Sequence, residues 1–163
     1  DSSSNGAAEE KPAQEQPTGP DGTRGNPFPI GTIVENDEWA VTINSVTFGA
    51  NDAVAAANQF NDAPEAGHEY VLINVTMTYK GDDSDGGMPA FVGVDYGTPD
   101  GVTVDYLGSF AVAPDALNSM STLYNGGSVT GNLVLQVPSE NASAGVIVVR
   151  PGMIADKTFI AAK

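Results

Sequence analysis

The sequence predicts an all-β domain, an immunoglobulin-like antiparallel β-sandwich with one or two short helical turns. Three observations carry that prediction. Apolar and polar residues alternate with a period of two along several stretches, Tyr70 to Tyr79 being the longest. Clusters of Gly, Pro, Asn and Asp separate those stretches. No helical period persists beyond about two turns. Seven or eight short strands divided by turns suit two packed antiparallel sheets, with a closed barrel as the alternative.

Residues 1–26 are almost all small or polar, with Pro12, Pro17 and Pro20 among them and no large apolar side chain. Such a segment cannot bury enough surface to offset the entropy of ordering it, so it reads as an acidic linker with a reach of roughly 25 to 30 Å. The domain is expected over 27–163, beginning at Pro27-Phe28-Pro29-Ile30-Gly31. Trp39, Val41 and Ile43 share one face of a strand, whereas Val46 and Phe48 have the opposite parity. A bulge near Asn44-Ser45 reconciles them. After Asn51-Asp52, a candidate N-cap, the alanine-rich run to Asn58 predicts one or two turns of helix. In the long strand Val71, Ile73, Val75, Met77 and Tyr79 form the better core face. Phe91 to Tyr96 and Val102 to Leu107 flank Thr98-Pro99-Asp100-Gly101, a hairpin turn in which Pro presets one dihedral and Gly supplies a positive φ. Pro114-Asp115-Ala116-Leu117 reads as another short turn. Val129, Gly131, Leu133, Leu135 and Val137 share a face, and Val146 to Val149 and Thr158 to Ala161 supply the last strands.

Composition excludes several function classes. There is no cysteine, hence no disulfide, no thiolate nucleophile and no Cys-containing zinc site. A chain of 163 residues still has length for one core without staples. Its formal charge is −15, from 21 acids against 6 basic residues. Duplex DNA binding takes roughly 6 to 10 phosphate contacts, and the scattered Lys11, Arg24, Lys80, Arg150, Lys157 and Lys163 cannot form that stripe. Anionic lipid should repel the domain for the same reason. A basic partner, a divalent cation or solubility alone accounts for the charge. No apolar run of about 18 residues is present to span a bilayer.

Candidate chemistry is sparse. His68, the only histidine, sits in the turn entering the long strand, where a bond to nearby backbone or water is the expected role. No Gly-x-Ser-x-Gly elbow accompanies it. Asp82, Asp83 and Asp85 form the densest acidic cluster and are the candidate calcium ligands, although the alternating ligand order and distal Glu of an EF-hand are missing. Asp95, Asp100 and Asp105 could be brought near by the adjacent hairpin. Glycoside hydrolysis needs two carboxylates roughly 5 to 9 Å apart, a condition that many acids meet by chance. Trp39 alternates with core residues and is expected inside, where it cannot serve as a sugar platform. The sequons at Asn74 and Asn141 are chance matches, Asn74 lying in mid-strand.

The order Asn26-Pro27-Phe28-Pro29-Ile30-Gly31, Trp39 through Val46, Ala57-Asn58-Gln59-Phe60-Asn61, Gly67 through Thr76, and Leu123 through Asn132 resembles a family of actinobacterial exported lipoproteins. These carry a domain of unknown function with the immunoglobulin-like fold of a secreted mycobacterial immunoprotective antigen. The resemblance covers Pro27 to Ala162. It implies the fold, export and an N-terminal lipid anchor, with no established chemistry. Many members of that family carry cysteines in the region corresponding to Tyr106 through Leu133, so any disulfide of theirs is not shared. Asp1-Ser2-Ser3-Ser4-Asn5-Gly6 is similar to the stretch that follows the lipidated cysteine in such proteins.

Together these readings predict a non-catalytic cell-surface module that binds an envelope or secreted protein and meets membrane only through that anchor. It needs no cofactor and binds no nucleic acid. The loops Asn51 to Glu69 and Gly81 to Pro89 are the expected contacts. A calcium-dependent structural or adhesive module is the alternative, and an envelope hydrolase is a further one.

Overall fold

A computed structural model describes residues 19–105 and 111–163. Among these residues eight strands are described, β1 (Ile33–Glu35), β2 (Trp39–Thr47), β3 (His68–Tyr79), β4 (Gly93–Gly97), β5 (Thr103–Val104), β6 (Ser128–Pro138), β7 (Val146–Arg150) and β8 (Thr158–Ala161). They form two four-stranded antiparallel sheets, ordered β1-β2-β3-β6 and β5-β4-β7-β8. The sandwich is the predicted class. Among the described residues one helix, α1 (Asn51–Ala57), and 3-10 turns at Pro89–Phe91 and Ala142–Ala144 accompany the strands.

Alternation places the core where the sequence puts it. Val71, Ile73, Val75, Met77 and Tyr79 of β3 are all buried, with Trp39, Val41 and Ile43 beside them and Val94, Tyr96, Ile147, Val149 and Ile160 facing them from the second sheet. Each such side chain removed from water stabilises the fold by roughly 1.5 to 3 kcal/mol before entropy is counted. The pairing of β2 with β3 shifts register between Ile43 and Ser45, so the bulge falls where the change of parity requires it. Val46 and Phe48 thereby return to the core side.

The other face of β3 holds a second cluster. Tyr70, Leu72 and Val134 are covered by Ala50 and Val54 at the start of α1 and by Ala113. Farther along that face the sheet carries polar side chains. There Asn74 bonds Asn132 at 2.9 Å, Thr76 meets Thr130 at 2.8 Å, and Thr78 meets Ser128 at 3.0 Å.

Three details differ from the sequence expectation. Ala50 occupies the N-cap position of α1 without a side-chain cap, while Asn51 Oδ1 accepts the Tyr70 N–H at 2.9 Å. The amide thus ties helix to strand. Phe91 ends a 3-10 turn that begins with Pro89, so β4 starts at Gly93. Residues 19–26, assigned to the linker on composition, are bonded into the domain: the Phe159 N–H donates to the Gly22 carbonyl at 2.8 Å, and Arg24 Nη2 donates to the carbonyls of Thr98 and Pro99 at 3.2 and 3.0 Å. Backbone and guanidinium bonds hold this stretch, which is why the lack of large apolar residues gave no sign of it. Residues 1–18 of the linker, together with Tyr106 and Leu107 of the expected fifth strand, lie outside the described residues.

Candidate binding site

Strand direction decides which loops can act together. β3 runs from His68 at one end of the sandwich to Tyr79 at the other, twelve residues that span roughly 36 Å. The loop Asn51 to Glu69 enters β3 and the loop Gly81 to Pro89 leaves it, so the two expected contact loops lie at opposite ends. They cannot form one surface. The end that contains His68 also holds the Thr98–Gly101 turn and the Ser139–Ala144 corner, because β4 reaches Gly97 opposite Val146 and β6 reaches Pro138 opposite His68.

This end is built by bonds between loops. Ser139 N–H donates to the Gly67 carbonyl at 2.9 Å, and Glu65 N–H to Gln136 Oε1 at 2.8 Å. Thr98, 5% exposed, accepts the Val102 N–H on its hydroxyl at 2.8 Å and donates that hydroxyl to Asp100 Oδ1. Gly101 closes the turn with φ +96, the positive value its sequence position calls for. Asn141 adopts the left-handed region at φ 55, a conformation asparagine tolerates, and begins the turn Ala142–Ala144. The Ala142 carbonyl accepts the Tyr96 hydroxyl at 2.6 Å.

Between turn and corner lies a recess of about 330 Å³. Tyr96, Val102, Val104, Pro99 and Pro138 supply its apolar lining, and Thr98, Asp100, Glu140 and Asn141 its polar part. Tyr96 is wholly buried, and burial is the main cause that holds its hydroxyl above the ordinary tyrosine pKa, with the negative charges of Glu69 and Asp100 adding to it. At the same end burial, followed by Asp62, raises Tyr70 in the same direction.

The residues singled out on sequence fall apart in space. His68 begins β3 and its Nδ1 lies 3.1 Å from the Ala66 carbonyl, the turn role expected of it. Asp82, Asp83 and Asp85 are exposed at the opposite end, where Asp83 Oδ1 accepts the Asp85 N–H at 2.9 Å. Asp95 and Asp105 line a separate hollow with Arg150, Phe91 and Met153, whereas Asp100 belongs to the end recess. Among the described residues no group of three or more His, Asp or Glu is placed to hold a metal ion. Trp39 is 1% exposed, in the core as expected.

Sequence reading missed Tyr96, Pro138, Glu140 and Asn141 as site residues. Pro138-Ser139-Glu140-Asn141 is a turn signal that could have directed attention to the corner, but only the fold sets it beside the Thr98–Gly101 turn.

A family model for a domain of unknown function, DUF4352, matches residues 28–159. The chain belongs to that family. Its sandwich is similar to three solved structures. An uncharacterised β-sandwich protein from Clostridium difficile 630 aligns at a TM-score of 0.51 and 12% identity over 91% of this chain and 100% of that one. The yjhA protein from Bacillus subtilis aligns at 0.57 and 17% identity over 83% and 99%. A conserved hypothetical protein from Bacillus anthracis aligns at 0.51 and 18% identity over 81% and 94%. At these identities the likeness concerns the fold alone. No curated protein matches the chain.

Proposed function

We propose that this DUF4352 domain is a non-catalytic, protein-binding module of an exported, lipid-anchored cell-surface protein, and that its partner is an envelope or secreted protein with a basic surface. The observation that supports this most directly is the loop-built end of the sandwich. Exposed Asp100 and Glu140 line a preformed recess with apolar walls there, and exposed Asp62 and Glu65 lie in the loop that enters β3 at the same end. Loops fixed on a rigid scaffold are where binding residues concentrate, and a surface of one charge sign speeds encounter with a partner of the other sign.

The reading is tested by immobilising the full 163-residue chain, exposing it to envelope extract and eluting with a salt gradient. A single protein released by moderate salt is the expected result. Retention of nothing, or release of all bound proteins together in the first low-salt fractions, would remove the reading. Export and anchoring are tested on the precursor: a cysteine directly ahead of Asp1, preceded by small residues and an apolar stretch, is expected, and any other residue there contradicts the anchor.

A further inference from the structure

We infer that the recess between the Thr98–Gly101 turn and the Pro138–Asn141 corner is a socket for one long basic side chain, lysine foremost, presented by the partner protein. This rests on the protein-binding reading above and supplies the chemistry of its contact.

The lining matches such a side chain along its length. Val102, Val104, Pro99 and Pro138 offer apolar surface to a hydrocarbon stem, and Asp100 and Glu140, which line the same recess, supply carboxylates for a charged head. Among the described residues no basic side chain lines the recess. The nearest described cation, Arg24, spends its Nη2 on the carbonyls of Thr98 and Pro99 and so fixes the turn in place. Tyr96 and Thr98 are likewise committed, to the Ala142 carbonyl and to Asp100. These bonds pre-organise the walls, which lowers the cost of binding. Glu140, in contrast, has no hydrogen bond or ion pair among the described residues, and its exposed carboxylate is available to a ligand.

The same features exclude other occupants. An anionic ligand would meet two carboxylates. A purely apolar one would strip water from them without return. About 330 Å³ is near the small end of ligand pockets, enough for one side chain and too little for a folded segment. Lysine suits the lining better than arginine. Its three donors can serve two separate carboxylates at once, while the planar guanidinium favours a single carboxylate in a fork.

The test is a titration of the ¹⁵N-labelled full chain with Nα-acetyl-lysine methylamide, followed by amide chemical shifts. Saturable shifts are expected at Gly97, Gly101, Val102 and Ala142 to Ala144, sharing one binding curve. The norleucine counterpart, which keeps most of the stem and loses the charge, should bind at least tenfold more weakly. Glu140→Gln should weaken the lysine probe about fivefold, the range for a rim-exposed ion pair, and Asp83→Asn at the other end should change nothing. Equal binding of the norleucine probe would overturn the basic head, and equal shifts along Asp82 to Gly86 would reduce the effect to diffuse charge. Saturation by 1,5-diaminopentane but not by the lysine derivative would make this a free-amine site and overturn the side-chain source. Capture of a partner without any shift from the lysine probe refutes the socket alone. Saturable lysine binding with no captured partner refutes the protein-binding reading and leaves an amine pocket.

Discussion

At the end of the sandwich where β3 finishes, Trp39 and Tyr79 meet edge to face, their ring centroids 5.2 Å apart. Gly87 packs so closely against this pair that an added Cβ would stand 2.8 Å from Tyr79 and 3.0 Å from Trp39. The aromatic plug leaves the neighbouring Asp82, Asp83 and Asp85 on an exposed loop above a filled core. At the end where β3 begins, Tyr96 is a large side chain buried in the main core, and its hydroxyl is drawn to the Ala142 carbonyl. Gly145 sits against it, where an added Cβ would collide with the Tyr96 hydroxyl and lie 2.5 Å from the Gly97 carbonyl. The corner therefore folds back and leaves a recess. Both ends carry many carboxylates, so acidity does not separate them; the packing beneath the charges does.

The largest expected effect falls on the plugged end. Trp39→Ala should cost about 3 to 5 kcal/mol of stability, because a fully buried indole leaves a cavity between the sheets. Urea denaturation measures it, and a loss below about 1 kcal/mol would mean that the plug is not part of the core.

At the recessed end the expected loss is smaller and has a pH signature. Tyr96→Phe removes one of two donors to the Ala142 carbonyl, which keeps the Gly145 N–H, and should cost about 0.5 to 1.5 kcal/mol. In the unfolded chain tyrosine loses its proton near pH 10, roughly. Burial raises Tyr96 and Tyr70 above that value in the folded chain. Above about pH 10 the unfolded state then binds fewer protons than the native state, and stability should fall as pH rises. Tyr96→Phe should flatten part of that fall, as thermal melts between neutral and alkaline pH would show. An unchanged slope would place the alkaline sensitivity elsewhere.

The smallest effect is expected on the acidic loop. Asp83→Asn should move stability by less than about 0.5 kcal/mol, since the Asp83 side chain is exposed and asparagine can still accept the Asp85 N–H. Melting in millimolar calcium should match melting in chelator. A calcium-induced rise that Asp83→Asn abolishes would restore the loop as a cation site.

Much of the fold is legible in the chain because a strand with one buried face must alternate. The faces of β2 and β3, the bulge at Asn44 and the Thr98–Gly101 turn each follow from side-chain parity or turn chemistry at particular residues. The second cluster is less legible. Tyr70 and Leu72 stand on the polar-looking face of β3, and only the placement of α1 over that face shows why they are apolar. The recess is less legible still, because Asp100 and Glu140 are forty residues apart and neither lies in a recognisable motif. The densest acidic run drew attention to Asp82, Asp83 and Asp85 instead. Charge density is visible in a sequence, whereas the hollow beneath a charge is a property of packing.

The most direct test of the central claim removes three carboxylates from one end at a time. Asp62→Asn, Glu65→Gln and Glu140→Gln combined should abolish capture of the partner from envelope extract, while Asp82→Asn, Asp83→Asn and Asp85→Asn combined, an equal change of charge, should leave capture intact. Loss from the second variant alone, or equal loss from both, would contradict the assignment of binding to the recessed end.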